Sequence, residues 1–262
     1  MKKTILLMLI LFVASLALTQ SERLEKSPRH QEWAAIKNGE KSIHSFVVYP
    51  EKKEKATTVI VIHENKGLTD WVRTVADQLA EAGYLAVAPD LLSGMGPKGG
   101  KTSDFPSADA ATEAISKVSP EQATADLNAV ADYATKLPAS NGKLAVSGFC
   151  WGGGQSFRFA TNRPDLKAAF VFYGTFKYTN EDLKRIACPV YGFYGSNDAR
   201  INATLPETEK LMKELGKTFE QVMYEGADHG FMRKGEEPGA SGANKKARDA
   251  AWERWKKLLA AI

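Results

Sequence analysis

Cysteine and histidine are scarce in this chain of 262 residues, which has two of the first and four of the second. Two cysteines, Cys150 and Cys188, cannot staple a fold as the disulfides of small secreted domains do. Nothing in the sequence has the spacing of metal ligands, so neither a metal nor a cofactor is expected. One-sided charge is missing as well: 35 basic residues are interleaved with 31 acidic ones, and the net charge of +4 includes Lys2 and Lys3. No basic footprint for a nucleic acid results, and Lys52-Lys53 and Lys245-Lys246 read as solvated surface. The run Gly152-Gly153-Gly154 lacks the Lys-Ser/Thr ending of a phosphate loop. No internal repeat is present.

Long apolar runs are absent beyond the first residues. Lys2-Lys3 precede an apolar stretch at 5–18 that is broken by Ala14, Ser15 and Ala17. The order basic, apolar, small is that of a secretory signal, and the stretch is short for a membrane span. Residues 1–19 are therefore expected to be a signal peptide, with Ser15-Leu16-Ala17 as a cleavage site. An uncleaved anchor is the alternative, and lipid attachment is not expected because no cysteine follows the run. The expected destination is the periplasm or the exterior, without stable membrane association after cleavage. Residues 20–38 read as a polar linker and 39–262 as one domain, expected to be a monomer that acts on a small molecule.

The string Val146-Ser147-Gly148-Phe149-Cys150-Trp151-Gly152-Gly153 is the most informative in the chain. It follows the apolar Lys143-Leu144-Ala145-Val146 and opens a helix-like segment. A sharp strand-to-helix turn with a nucleophile at its apex needs small residues two places to either side, where the backbones crowd. Gly148 and Gly152 meet that need, with Cys150 where serine is more familiar. The alternative is a glycine-rich turn around a buried structural cysteine.

A cysteine nucleophile needs a base, and the base needs an orienting acid. His229 follows the strand-like segment 219–224, and Asp198 follows the apolar run 189–193. Both lie in loops at the carboxyl ends of predicted strands, where open α/β sheets place their chemistry. The order nucleophile, acid, histidine is that of α/β-hydrolases. Asp228 is the other candidate acid, but neighbours on an extended loop point apart, which favours Asp198. The amide of Trp151 would sit at a helix N-terminus, where donors and dipole favour an oxyanion. His63 reads as a packing or hydrogen-bonding histidine and Cys188 as a buried apolar residue, too far from Cys150 for a disulfide.

Strand-like runs fall at 44–49, 57–62, 85–88, 144–147, 168–172, 190–194 and 220–224. Helix-like runs fall at 70–82, 120–137, 152–161, 206–215 and 244–261. This alternation predicts an α/β fold, a mostly parallel sheet with helices on both faces. In the last helix Ala251, Trp255, Leu258, Leu259 and Ile262 share one face, which predicts packing onto the sheet.

At this point the sequence resembles the dienelactone hydrolase family of the α/β-hydrolase superfamily, over about residues 40–262. The resemblance rests on ordered blocks: His63-Glu64-Asn65-Lys66-Gly67-Leu68, Ala88-Pro89-Asp90-Leu91-Leu92, Gly148-Phe149-Cys150-Trp151-Gly152-Gly153, Phe172-Tyr173-Gly174, Tyr194-Gly195-Ser196-Asn197-Asp198 and Gly226-Ala227-Asp228-His229-Gly230-Phe231. It implies hydrolysis of an ester or lactone, as in carboxymethylenebutenolidases, by a triad of Cys150, His229 and Asp198 through an acyl-enzyme. It implies that Glu64 contacts the resting thiol and helps set its ionisation, and that Asn65 and Trp151 supply the oxyanion-hole amides. Tyr173 would line the pocket, with a structural tyrosine as the alternative. Type members hold an anionic substrate with two arginines. Arg233 fills one place, four residues after His229. The other follows the Pro-Asp-Leu block, and here no arginine stands there, although Lys66, Lys98 or Lys101 could supply a cation. The Gly/Pro/Ser-rich segment 93–108 reads as a lid or specificity loop. A broad small-ester esterase on the same triad, and a non-catalytic thiol-sensing relative, are the alternative functions.

Overall fold

The computed structural model describes residues 19–262, so the expected signal peptide lies outside the described residues except for Thr19. In chain order come helix α1 (Gln20–Glu25), strands β1 (Gln31–Asn38), β2 (Lys41–Val48) and β3 (Ala56–Ile62), and helix α2 (Asp70–Glu81). Strand β4 (Leu85–Pro89) leads through two short 3₁₀ turns to α3 (Ala108–Ile115) and α4 (Pro120–Ala134). Then follow β5 (Ser140–Phe149), α5 (Trp151–Ala160), β6 (Ala168–Phe172), α6 (Asn180–Lys184) and β7 (Val190–Gly195). The chain continues with α7 (Ala199–Asn202), α8 (Leu205–Glu214), β8 (Phe219–Tyr224), α9 (Phe231–Lys234) and α10 (Gly242–Leu259).

One sheet of eight strands has the order β1-β2-β4-β3-β5-β6-β7-β8. The β1/β2 and β2/β4 pairs are antiparallel and the others parallel. This is the α/β-hydrolase architecture expected from the alternation of elements. A strand covered on both faces must be apolar throughout. Strand β3 is such a strand, with every residue buried. Its odd and even positions feed different cores. Val59 and Val61 meet α2 and α10 with Phe149, Phe172 and Trp255. Ile60 and Ile62 meet α4 and α5 with Val146 and Phe157 on the other face. Helix α10 buries Ala251, Trp255 and Leu259 as its stripe predicts. Leu258 and Ile262 are only partly buried against that core. The Trp255 ring lies 4.9 Å from that of Phe172.

The expected linker at 20–38 is corrected by the structure. Helix α1 carries a capping box between Thr19 and Glu22. Strand β1 pairs with β2 along its whole length, from Gln31↔Val48 to Asn38↔Lys41. Its sequence reads as polar because an edge strand needs few buried side chains, and Ile36 is its fully buried one. The connection between them is fastened to Asp77 on α2. Asp77 accepts from the Ser27 hydroxyl at 2.6 Å, from Arg29 Nε at 2.9 Å and Nη2 at 2.6 Å, and from Gln31 Nε2 at 3.2 Å. Residues 20–38 therefore belong to the folded unit.

A linker would not care about Arg29, whereas a locked segment does. Both side chains of the Arg29–Asp77 pair are only 10% exposed. Arg29→Ala strands part of a buried carboxylate and is expected to lower unfolding free energy by roughly 2–3 kcal/mol. Urea denaturation measures this, and a loss under about 0.5 kcal/mol would return the segment to linker status.

Candidate active site

The register of the sheet brings one row of loops together. Ile62 is level with Gly148, Phe149 with Phe172, and Phe172 with Phe193. Just beyond these carboxyl ends come Glu64 after β3, Cys150 after β5, Tyr173 after β6, Asp198 after β7 and His229 after β8. Five sequence-predicted residues thus meet at one edge of the sheet.

Cys150 occupies the apex of the β5–α5 turn with φ 56° and ψ −114°. A non-glycine residue there is strained by roughly 1–3 kcal/mol, and the surrounding structure must hold it. The hold is visible in the glycines. A Cβ on Gly148 would lie 1.9 Å from the Gly152 carbonyl oxygen. One on Gly152 would lie 2.4 Å from the carbonyl oxygens of both Ile62 and His63. The Cys150 amide donates to Phe172 O at 3.0 Å, which ties the apex to β6. Cys150 is half-buried. Trp151 is the first residue of α5, so its amide is one of the free donors of that terminus. Cys188, by contrast, is buried, and burial pushes its thiol up to about 11. It lies just before β7 at the opposite edge, and both cysteines are free.

His229 Nδ1 bonds the Asp198 Oδ2 at 2.5 Å, with the Asp198 side chain only 6% exposed. The loops carrying them are stitched together by Asn197 N to Ala227 O at 3.0 Å and Gly226 N to Ser196 Oγ at 2.7 Å. His229 is pushed up to about 9, first by the neighbouring Cys150 and then by the bond to Asp198, against the opposing effect of burial. Asp228 points elsewhere: it accepts from Asn244 Nδ2 at 3.0 Å and Asn197 Nδ2 at 3.3 Å. Those bonds, that of Asn244 foremost, hold its carboxyl below the usual range.

Glu64 is buried and accepts from Arg233 Nε at 3.0 Å. Arg233 Nη1 also bonds Glu237. The guanidinium of α9 is therefore at the site but already shared by two carboxylates. Tyr173 is fully buried, with φ 40° and its ring 5.1 Å from that of His229, edge to face. Its hydroxyl makes no hydrogen bond of ordinary geometry. Burial, then the nearby Glu64 and Cys150, push the phenol well above its usual value.

The partners of His63 and Asp90 emerge only from the three-dimensional arrangement. His63 is fully buried beneath the Glu64 loop and bonds two backbone groups. Asp90 ties down the segment expected to be a lid. Its carboxylate accepts from the Thr102 amide at 2.8 Å and the Thr102 hydroxyl at 2.7 Å. Leu68 N in turn donates to Thr102 Oγ1 at 3.0 Å. The middle of 93–108 is thus anchored to β4 and to the loop after Glu64. Lys66 and Lys98 are exposed and Lys101 is half-exposed. Among the described residues no group of three or more His, Cys, Asp or Glu is placed to hold a metal.

Comparison with known proteins now adds to this geometry. The profile of the dienelactone hydrolase family matches residues 43–262. The chain belongs to this family. A provisionally named carboxymethylenebutenolidase of Salmonella typhimurium is 33% identical over 186 residues, which is 66% of this chain and 67% of that protein. Another, from Saccharolobus solfataricus, is 29% identical over 254 residues, covering 83% of this chain and 93% of its own length. The crystal structure of a provisionally assigned dienelactone hydrolase from Klebsiella pneumoniae superposes with a TM-score of 0.78 at 26% identity, covering 89% of this chain and 99% of that one. This member of the dienelactone hydrolase family is a carboxylic ester hydrolase of the carboxymethylenebutenolidase-like kind.

The protonation of His229 in this hydrolase is open to direct measurement. A pKa raised from 6.5 to about 9 means that the folded state binds a proton that the unfolded chain releases. The contribution to stability is complete below about 6.5 and is lost as pH rises through about 9. The Cys150 sulfur is the first cause of the elevation, so Cys150→Ala is expected to lower the His229 midpoint, read by NMR of its ring protons. An unmoved midpoint would mean that the two side chains do not interact.

Proposed function

We propose that the enzyme cleaves its ester or lactone by covalent catalysis on Cys150, with His229 as base and acid and Asp198 as orienter. The observation that carries this reading is the buried Asp198 carboxylate on His229 Nδ1 at 2.5 Å, which leaves Nε2 as the nitrogen for the thiol. In the first half-reaction the thiol proton goes to His229 and the sulfur bonds the carbonyl carbon. The carbonyl oxygen becomes an oxyanion, received by the amides of Trp151 and Asn65. Collapse restores the carbonyl and breaks the bond to the alkoxy oxygen, which takes the proton from His229. A lactone keeps that hydroxyl tethered. In the second half-reaction His229 draws a proton from water, hydroxide oxygen bonds the thioester carbon, and the carbon–sulfur bond breaks. The acid is released and His229 returns the proton to the sulfur.

Two substitutions test the assignments on a chromogenic short-chain ester. Cys150→Ala is expected to abolish turnover with the fold intact by circular dichroism, and retained turnover would remove the nucleophile. Asp198→Asn is expected to cost about three to four decades in kcat, whereas Asp228→Asn costs far less. The opposite ranking would exchange the two carboxylates.

A second reading, a broad esterase for neutral small esters, is favoured by the pairing of Arg233. Its Nε and Nη1 already serve Glu64 and Glu237, and no arginine follows the Pro89-Asp90-Leu91 block. Anionic recognition therefore depends on what one shared guanidinium can still offer. If carboxylate-bearing esters are the substrates, Arg233→Ala lowers kcat/KM for them by about one to two decades more than for neutral esters, the worth of one charge-assisted bond. Equal losses on both substrates would leave the neutral-ester reading standing.

A further inference from the structure

His63 is a buried titratable group with no part in the chemistry above, yet it touches three of the loops that build the site. Its Nε2 lies 3.1 Å from the Leu91 amide at the end of β4. A backbone amide can only donate, so Nε2 is the bare nitrogen and the ring proton is on Nδ1. Nδ1 lies 2.7 Å from the carbonyl oxygen of Glu64, to which it then donates. Burial lowers the His63 pKa and keeps the ring neutral, and the Asp90 charge opposes this only in part. The imidazole also stacks on the indole of Trp151, with centroids 5.5 Å apart and planes 13° from parallel.

The Glu64 carbonyl belongs to the same planar peptide group as the Asn65 amide. In a trans peptide the C=O and N–H point in opposite directions, so fixing one fixes the other. That carbonyl is held twice, by His63 Nδ1 and by the Gly67 amide at 3.2 Å. The Asn65 amide itself donates no hydrogen bond among the described residues. We infer that His63 is a positioning residue for the reaction: it aims the Asn65 N–H into the oxyanion hole through the Glu64–Asn65 peptide, and its stack on Trp151 keeps the second donor in register. This rests on the oxyanion-hole assignment of the proposed function. A preorganised donor stabilises the transition state more than the ground state, so its misdirection appears in kcat.

Two conservative variants separate this role from a structural one. The side-chain nitrogen of His63→Asn sits near Nδ1 and can still donate to Glu64 O. His63→Gln reaches the Nε2 position, accepts from the Leu91 amide and leaves the Glu64 carbonyl without that donor. With p-nitrophenyl acetate, kcat for His63→Gln is expected to fall about tenfold or more, with KM within about threefold of wild type. His63→Asn is expected to stay within about threefold of wild type in kcat, whichever variant has the higher Tm. Alkylation of Cys150 by iodoacetamide needs the thiolate and no oxyanion hole, so both variants should react within about twofold of wild type. Equal kcat for the two variants, Gln outperforming Asn, or alkylation falling in step with hydrolysis would each overturn the inference. If Cys150→Ala remained active the nucleophile assignment would fall, while the Asn/Gln ordering would still decide the role of His63.

Discussion

Two backbones meet without a Cβ between them where β5 passes into α5, and the active edge is registered on that contact. Any side chain at Gly148 would occupy the space of the Gly152 carbonyl, and any at Gly152 that of the Ile62 and His63 carbonyls. One crossing therefore sets three things: the strained apex at Cys150, the direction of α5 and its free amides, and the distance to the loop after β3. The strain is tolerable because it is small beside what surrounds it. Phe149 and Phe172 stack at 4.7 Å beneath the turn, and Trp255 and Trp71 close on Phe149 from α10 and α2. Several fully buried aromatics at roughly 1.5–3 kcal/mol each outweigh one unfavourable backbone conformation.

Charge at the edge is arranged in alternation around this fixed point. Asp198 faces His229, His229 faces Cys150, and on the other side Glu64 faces Arg233, which also holds Glu237. At an effective dielectric near 20, unit charges 4 Å apart interact by about 4 kcal/mol, so the pairing of each carboxylate matters. The Glu64 charge is matched by the Arg233 guanidinium. The same guanidinium is the cation that a substrate carboxylate would compete for.

The residues legible in the sequence were those whose signal is local. Gly148 and Gly152 bracket Cys150 within five positions, and Asp198 and His229 each follow an apolar strand directly. The β-branched and aromatic runs located seven strands for the same reason. What escaped was set by distant partners. Strand β1 has Ile36 as its fully buried residue, so its sequence looks like a linker until β2 lies beside it. The alanine-rich α3, just after the Gly/Pro/Ser-rich stretch, becomes stable by packing Ala111 and Ile115 on Leu92. His63 reads as a packing or hydrogen-bonding histidine and does both, but its partner Leu91 is 28 positions away and its stacking partner Trp151 farther still. Charged residues such as Asp77 look like surface in a sequence, because burial of a carboxylate depends on donors that no local pattern announces.

Glu236 shows how far such hidden carboxylates reach. It lies just beyond α9, the helix that carries Arg233, and its side chain is 5% exposed. It accepts from Arg248 of α10 at 2.7 and 3.0 Å, from Arg23 of α1 at 3.3 Å and from Gln20 of α1 at 3.4 Å. A carboxylate buried to this degree would be costly alone, and α10, α1 and, through Gln78 Nε2 at 3.5 Å, α2 supply the donors that make it tolerable. The consequence is mechanical. Helix α9 has only four residues and cannot hold its own position by length. Its orientation, and with it the reach of Arg233 toward Glu64, depends on a joint to which the first described helix contributes. Residues of α1 therefore belong to the support of the candidate site, although they precede Cys150 by more than a hundred positions.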